Sequence, residues 1–405
     1  MIEYSPKHLV MVAADANNNK YYDMVPNGVK WTAEYGRIGG SSQTRVYSKG
    51  QWESKYKEKI RKGYVDQTEL VRDLIAENPK SKSEYKPITN QEIADIVRRL
   101  QEMAHAAIEA NYTISSNKVT QSMVDEAQSI INGLIDIDSV SDFNESLMKL
   151  FTTIPRKMGS VKNHIASNKE DFNKIISREQ DLLDVMKGQV VQKQTVQESS
   201  DVDTYQNDKT ILEVLGIQFE ECNRNDIAAI KVALGDCADK FHKAWKVKNL
   251  KTQDRFDKYV KENNIKDIKL LFHGSRNENW WSIIQSGLVL RPTNAVITGK
   301  MFGYGIYYAP KARKSLGYTS LEGSYWARGS SNSGFMALMD VAYGKPYDVY
   351  SFDSKYYSFN YESLQKNCMG ANCLHAHAGN MLRNDEIVVY KEDQCTIKYL
   401  VELKR

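Results

Sequence analysis

Leu271-Phe272-His273-Gly274, Gly305-Ile306-Tyr307-Tyr308, Ser315-Leu316-Gly317-Tyr318 and Asn384-Asp385-Glu386-Ile387 lie in the C-terminal half of a 405-residue chain. Taken singly they are ordinary. A His-Gly pair after an apolar run is a strand ending in a turn. Tyrosine is abundant, with 24 in the chain, so packing alone would explain Tyr307 or Tyr318. Glu386 is less easily dismissed. It opens the apolar run Ile387-Val388-Val389-Tyr390, where a carboxylate is tolerated at a strand mouth but seldom needed for folding. The order and spacing of the four stretches carry the information, together with their flanks Met301-Phe302-Gly303-Tyr304 and Ile397-Lys398-Tyr399-Leu400.

In that order the stretches resemble the His-Tyr-Glu active site of the poly(ADP-ribose) polymerases, with Met301 to Ala309 similar to that family's glycine-rich block and Ile397 to Leu400 to its final strand. The resemblance implies an ADP-ribosyltransferase fold over residues 199–405, two facing antiparallel sheets with NAD in the cleft between them. It implies catalytic roles for Glu386, His273 and Tyr307. Breaking the nicotinamide–ribose bond passes through an oxocarbenium-like state, so both ends of NAD must be held and the sugar cation stabilised. By the same resemblance, Gly274 clamps the nicotinamide amide with backbone groups and Ser315 adds its hydroxyl. Tyr307 and Tyr318 lie against the ring faces. His273 orients the adenosine ribose, with Ser275 and Arg276 beside it. Lys314 assists electrostatically, and Glu386 binds a ribose hydroxyl, stabilises the developing charge and polarises the acceptor. Tyr304 departs from the family, which often carries lysine there, and the segment from Tyr350 to Asn384 suggests a shortened acceptor-side loop. Within it, Cys368, Cys373, His375 and His377 form an uncommon cluster; the last three alternate, as a zinc site on one strand face requires. Its Cys-x4-Cys spacing is loose, and no metal is expected.

Around these stretches, strands are expected at Ile268–Phe272, Gly305–Ala309, Tyr347–Phe352, Glu386–Tyr390 and Thr396–Leu403, with a helix over Asp226–Leu234 and a strand through His242–Val247. Upstream, amphipathic periodicity predicts an all-α bundle over residues 85–198. Thr89 and Glu92 suggest a capping box ahead of Ile93, Ile96, Val97, Leu100, Met103, Ala104 and Ala107. Further stripes contain Met123, Ala127, Ile130, Ile131 and Leu134; Phe143, Leu147, Leu150, Phe151 and Ile154, stopped by Pro155; and Phe172, Ile175, Ile176, Leu182, Leu183 and Met186, in a helix opened by Ser167 and Glu170. Gly133 and the polar Ser115-Ser116-Asn117 suggest modest stability. Leu150 to Pro155 and Asp181-Leu182-Leu183-Asp184 resemble the family's helical regulatory domain, which implies a cover over the NAD cleft.

Residues 1–84 predict a small sheet followed by one helix. Leu9–Val12 and Lys20–Met24 alternate as paired strands around a turn at Asp15–Asn19, Pro26-Asn27-Gly28 marks another turn, and Trp52, Tyr56 and Ile60 recur at helical spacing beside a basic run from Arg45 to Lys62. Lys80–Glu84 suggests a linker. The layout resembles the WGR domain, which grips broken DNA ends in this family. Tyr35-Gly36-Arg37 stands for its Trp-Gly-Arg core and implies a stacking face and a phosphate contact, in binding that is salt-dependent and blind to sequence.

The expected whole is a multidomain α+β protein. Its function is NAD-dependent poly(ADP-ribose) synthesis activated by DNA ends or nicks, on protein acceptors including itself. The alternatives are mono-ADP-ribosyl transfer and a non-catalytic DNA-end-binding scaffold. A net charge of +4 permits nucleic-acid contact without establishing it. Five irregularly spaced cysteines suggest a reducing intracellular compartment, nuclear in a eukaryote and cytoplasmic or nucleoid in a bacterium. No apolar run is long enough to span a membrane, Met1-Ile2-Glu3-Tyr4 lacks the pattern of a secretory signal, and a monomer is expected.

Overall fold

The structure, a computed structural model, describes residues 2–14, 17–38, 40–68, 85–112, 119–200, 208–290, 301–321, 323–324, 327–328 and 331–405. The expected linker at Lys80–Glu84, the polar Ser115-Ser116-Asn117 and the centre of the turn at Asp15-Ala16 lie outside these. By packing, the chain forms two compact units, one of Met1–Lys82 with Ala106–Val190 and one of Ser83–His105 with Val191–Arg405.

In the first unit, β1 (Lys7–Ala13), β2 (Asn18–Asn27), β3 (Lys30–Arg37), β4 (Ser42–Ser48) and β5 (Val65–Asp66) form an antiparallel sheet ordered β4-β3-β2-β1-β5. Leu9 pairs with Tyr22, as the alternation of both segments requires. Helix α1 (Trp52–Arg61) lays Trp52 edge-on against Trp31, over a core that includes Leu9, Tyr22, Met24 and Ala33. The basic face of α1 is largely neutralised from within. Lys57 pairs with Glu53, and Lys55 and Lys62 both pair with Glu58, whose carboxyl they hold down at about 2.

The helical part comprises α2 (Gln91–Asn111), α3 (Gln121–Gly133), α4 (Val140–Thr153) and α5 (Asp171–Ser200). The expected stripes are buried: Met123, Ala127 and Ile131 from α3, Phe143, Leu147 and Leu150 from α4, and Ile175, Ile176 and Leu183 from α5. Phe143 stacks on Phe172 with ring centroids 3.8 Å apart. Three local expectations are corrected. Asn90, not Thr89, caps α2, its Oδ1 accepting from the amides of Glu92 and Ile93. Gly133 ends α3 rather than interrupting it. The fourth helix starts at Asp171, whose carboxylate accepts from the amides of Ser167 and Asn168. At the centre of this unit Arg156 and Glu179 form an ion pair at 2.9 Å with both side chains buried, and the Arg156 guanidinium lies 4.8 Å above the Tyr112 ring.

In the second unit, α6 (Ile211–Leu215), β6 (Ile217–Glu221), α7 (Arg224–Leu234), β7 (Phe241–Asn249), α8 (Leu250–Glu262), β8 (Ile268–Gly274), α9 (Trp280–Ser286), β9 (Ile306–Tyr308) and α10 (Ala312–Leu316) precede the short pair β10 (Gly323–Ser324) and β11 (Ala327–Arg328). Then come β12 (Ser333–Ala342), β13 (Pro346–Val349), α11 (Tyr361–Asn367), β14 (Cys373–Ala376), β15 (Glu386–Val389) and β16 (Cys395–Lys404). One antiparallel sheet runs β6-β7-β16-β12-β8. The other runs β13-β14-β15-β9, and here the expectation of purely antiparallel sheets is corrected, because β13 joins β14 in parallel. Its strand also stops at Val349 rather than reaching Phe352. Phe272 of β8 and Ala309, just past β9, exchange both backbone hydrogen bonds at 2.9 and 3.0 Å, so the two sheets meet where β8 ends. All five cysteines are free thiols, and among the described residues no helix is long and apolar enough to cross a membrane.

Candidate active site

That junction assembles the residues singled out from sequence. His273 and Gly274 end β8, Tyr307 sits in β9, Glu386 opens β15, and Lys314 and Ser315 lie on the short α10. Glycine is obligatory at 274, since a β-carbon there would lie 2.0 Å from the Ser315 carbonyl oxygen. The same approach places the Gly274 backbone against Ser315. The Ser315 hydroxyl donates to the Phe272 carbonyl at 3.1 Å, which leaves its oxygen to accept from an amide N–H. At Gly303, a φ of +72° and a β-carbon position 2.1 Å from the Phe359 carbonyl oxygen again admit only glycine. The block before Tyr307 is thereby clamped to the core around Phe359.

Each polar group has a defined state. The Nδ1 of His273 lies 3.0 Å from the Tyr307 carbonyl; a carbonyl only accepts, so Nδ1 carries the proton and Nε2 is the acceptor nitrogen. The Tyr307 hydroxyl accepts from the Phe302 amide at 2.9 Å and donates to the Gly303 carbonyl at 3.1 Å. Burial drives its pKa well above the ordinary value, with Glu386 adding to the shift. Tyr307 is therefore a fixed ring rather than a proton donor. Tyr318 is exposed at 47% over the whole residue, yet burial around its hydroxyl raises its pKa and the Glu386 charge adds a smaller push.

Glu386 is 5% exposed and forms a short ion pair through Oε1 with Lys314. Its Oε2 is buried and has no hydrogen-bond partner. Burial raises its pKa, and the Lys314 ammonium only partly offsets that rise. A buried carboxylate oxygen without a donor is costly for a protein to keep, and a sugar hydroxyl placed beside it would satisfy it. Ser275 accepts a hydrogen bond from Asn279 at 3.1 Å, and Arg276 stands 4.0 Å from Glu278.

The metal-like cluster is partly regrouped. His375 and His377 come together with Asp348, which the sequence did not single out, and neither cysteine belongs to the group. Cys373 is fully buried, its thiol donating to the Tyr343 carbonyl, and burial raises its pKa so that the thiolate is disfavoured. In the first unit, Tyr35 is half-buried and stacks on Tyr22 at 5.5 Å, while Gly36 pairs with Tyr21 and Ser42. The Arg37 guanidinium donates to the carbonyls of Asn17, Met158 and Gly159. Sequence periodicity also gave no sign that Lys59 would lie 3.8 Å above the Tyr22 ring, flanked by Tyr35 and Tyr64.

The model of the poly(ADP-ribose) polymerase catalytic domain matches residues 225–405. A protein of Invertebrate iridescent virus 6, named putative poly [ADP-ribose] polymerase-like 100L, is 33% identical over 190 residues, covering 46% of this chain and 98% of its own length. This chain belongs to the poly(ADP-ribose) polymerase family. A second protein of that virus, uncharacterized protein 101L, is 30% identical over 186 residues, covering 45% of this chain and 76% of its own. Poly [ADP-ribose] polymerase 1 of Gallus gallus is 26% identical over 303 residues, which is 71% of this chain and 28% of that much longer protein. As a poly(ADP-ribose) polymerase family member, the protein is an NAD+ ADP-ribosyltransferase with NAD as its substrate. Its fold is mixed α+β with sheets that are antiparallel except where β13 joins β14.

Proposed function

We propose that the protein builds poly(ADP-ribose) on itself and on other proteins when its N-terminal sheet engages a DNA break. The observation that carries the transferase half is the buried Glu386, paired with Lys314 through one oxygen and unpartnered at the other. In this proposal Gly274 and the Ser315 hydroxyl hold the nicotinamide amide. Tyr307 and Tyr318 flank the ring, with the Tyr307 hydroxyl pinned so that the ring cannot turn. His273, in the tautomer fixed by Tyr307, accepts from the adenosine ribose, and Ser275 and Arg276 close that side. As nicotinamide leaves, positive charge develops on the ribose. Glu386 stabilises it at short range in a water-poor site, where an ionised group acts strongly. The same carboxylate then orients the acceptor hydroxyl for attack, the step that chain extension repeats.

Three parts serve this function in the proposal: residues 1–84 sense DNA, 85–198 regulate, and 199–405 catalyse. The chicken relative supports an extended likeness, because its 303 matched residues exceed the catalytic segment. Arg37 supports coupling, since its guanidinium joins the sheet to the carbonyls of Met158 and Gly159 just after α4. Five free thiols suit a reducing compartment. Mono-ADP-ribosyl transfer is the second reading, because the segment from Tyr350 to Asn384, which resembles a shortened acceptor-side loop, is held down by Tyr356, Phe359 and Leu364 in a core shared with Phe302, Val388 and Tyr390.

The test measures nicotinamide release and product length from labelled NAD, with and without nicked DNA. A ladder that appears on adding DNA is the expected result. Tyr35→Ala with Arg37→Ala should leave basal turnover near wild type and reduce the DNA-stimulated increment several-fold. A single sharp product band would replace the polymerase reading by mono-transfer. Equal turnover with and without DNA would remove the DNA-sensing part.

A further inference from the structure

We infer that Asp348, His375 and His377 form a binding site for one divalent transition-metal ion of the zinc class, on the sheet face opposite the reacting Glu386. The site is built from β13 and β14, whose parallel register sets Asp348 beside His375. One ligand atom from each of the three side chains lies within 4.8 Å of the others. The Nε2 of His377 is 2.7 Å from the Asp348 carboxylate, and the Nδ1 of His375 is 4.0 Å from the same oxygen. Tetrahedral zinc with bonds of about 2.0–2.1 Å to nitrogen holds its ligand atoms about 3.4 Å apart, midway between these separations. Closing the shell on one ion turns His377 out of its stack on His375, because stacked imidazoles do not aim their in-plane lone pairs at a common point.

Two features distinguish this trio from a chance meeting of surface polar groups. The first is a supporting carboxylate. His375 directs Nε2 at Asp385, 3.1 Å away, and Asp385 accepts the Ala378 amide at 2.7 Å, so it is held in turn. A carboxylate takes only a donor, so Nε2 carries the proton and the lone pair lies on Nδ1, where an ion would displace the hydroxyl that now donates to it. Tyr343 agrees with that tautomer, its hydroxyl lying 2.8 Å from Nδ1 as the donor. A histidine held through its second nitrogen by a carboxylate is the arrangement found around protein-bound zinc. The second feature is aromatic enclosure. The rings of His375 and His377 stack at 4.0 Å, and Tyr350 stacks on the outer face of His377 at 4.4 Å. Three protein donors leave positions open for water, and imidazole with carboxylate suits zinc better than magnesium or calcium.

Strand pairing separates the site from the NAD chemistry. Glu386 pairs with Ala376, whereas His375 pairs with Ile387, so the carboxylate and the imidazole leave opposite faces of the sheet. The link to the active site is covalent: Asp385, which orients His375, directly precedes Glu386. The ion therefore braces β13 against β14 and the start of β15.

The probe is zinc chloride, added to tag-free full-length protein stripped with a chelator. Isothermal titration should give one ion per chain and a higher thermal midpoint, since an ion bound only to the native state stabilises it. His377→Ala and Asp348→Asn, both at accessible positions, should abolish stoichiometric binding while circular dichroism and NAD turnover in the absence of metal stay unchanged. Asp385→Asn should weaken binding about 10- to 100-fold. Cobalt substitution should show ligand-field bands without a sulfur-to-metal charge-transfer band. Fewer than one ion per chain at saturation, binding that survives both ligand substitutions, or a thiolate band from cobalt would each overturn the assignment.

Discussion

Glu386 and Lys314 make the sharpest claims at the scale of single residues. Glu386→Gln keeps size and most hydrogen bonding while removing the charge proposed to stabilise the oxocarbenium. It should shorten polymer to one or a few units and lower kcat at least 100-fold, while leaving NAD affinity within a few-fold. Wild-type chain length from Glu386→Gln would refute the role. Lys314→Met tests the pair through pH. Burial already holds the Glu386 carboxyl above its usual value, and Lys314 pulls it partly back. The reaction needs the ionised form, so kcat/KM should fall as pH drops through a pKa above the usual glutamate value, and Lys314→Met should move that acid limb to higher pH. An unmoved limb would mean that another group titrates. At this scale the candidate residues that the fold brings together could be picked out in sequence because they come in contiguous pairs: His273 with Gly274, Lys314 with Ser315, Asp385 with Glu386. Asp348 and Tyr343 could not, because only strand pairing brings the first to His375 and only a long-range side-chain hydrogen bond the second.

Among the elements, α5 is tied to the turn just after α4 by one buried ion pair. Arg156 and Glu179 are 3% and 2% exposed, and Arg178 also reaches the Glu179 carboxylate at 2.9 Å. Removing one partner of a buried pair leaves a desolvated charge, which costs about 3 kcal/mol at the low end of the known range when a second cation remains. Arg156→Met should therefore shift the urea midpoint of the first unit downward by that equivalent, read by circular dichroism, and should raise DNA-independent NAD turnover if helical stability restrains the enzyme. A stable variant with unchanged midpoint would show the pair to be ornamental. Helices were legible here because their stripes repeat every three to four residues over long spans. Their exact starts were less so, since Asn90 caps α2 where Thr89 is as plausible in sequence, and α5 begins at Asp171 rather than at the Ser167 and Glu170 that sequence suggests. Strand direction was not legible at β13, because alternation carries no record of whether a neighbour runs parallel or antiparallel.

For the molecule as a whole, the regulatory proposal predicts that deleting residues 85–198, with the flanks rejoined, raises DNA-independent turnover and tightens binding of a non-hydrolysable NAD analogue. A cover lowers apparent affinity by the fraction of molecules that are open, and removing it eliminates that factor without adding a contact. A soluble, folded deletion protein that still needs DNA would disprove the gate. Sequence showed that a sheet, a bundle and a transferase follow one another. It did not show that packing would group Ser83–His105 with the C-terminal residues and Ala106–Val190 with the N-terminal ones, because a single helix, α2, runs through that division with one unbroken apolar stripe.

The reciprocal hydrogen bonds between Phe272 and Ala309 bear on how inhibitors of this enzyme should behave. They act as the spine of a book, with His273, Tyr307 and the Gly274–Ser315 contact printed next to the binding. Near the spine the pages cannot part, so a small benzamide-like molecule confined to that margin meets a nearly rigid socket and its affinity should hardly respond to changes elsewhere in the chain. A longer molecule that reaches outward rests on parts of the pages that the spine does not hold, and its affinity should vary with whatever shifts them. Comparing short and long ligands across Arg156→Met and wild type would thus distinguish a change in how far the book opens from damage to its spine.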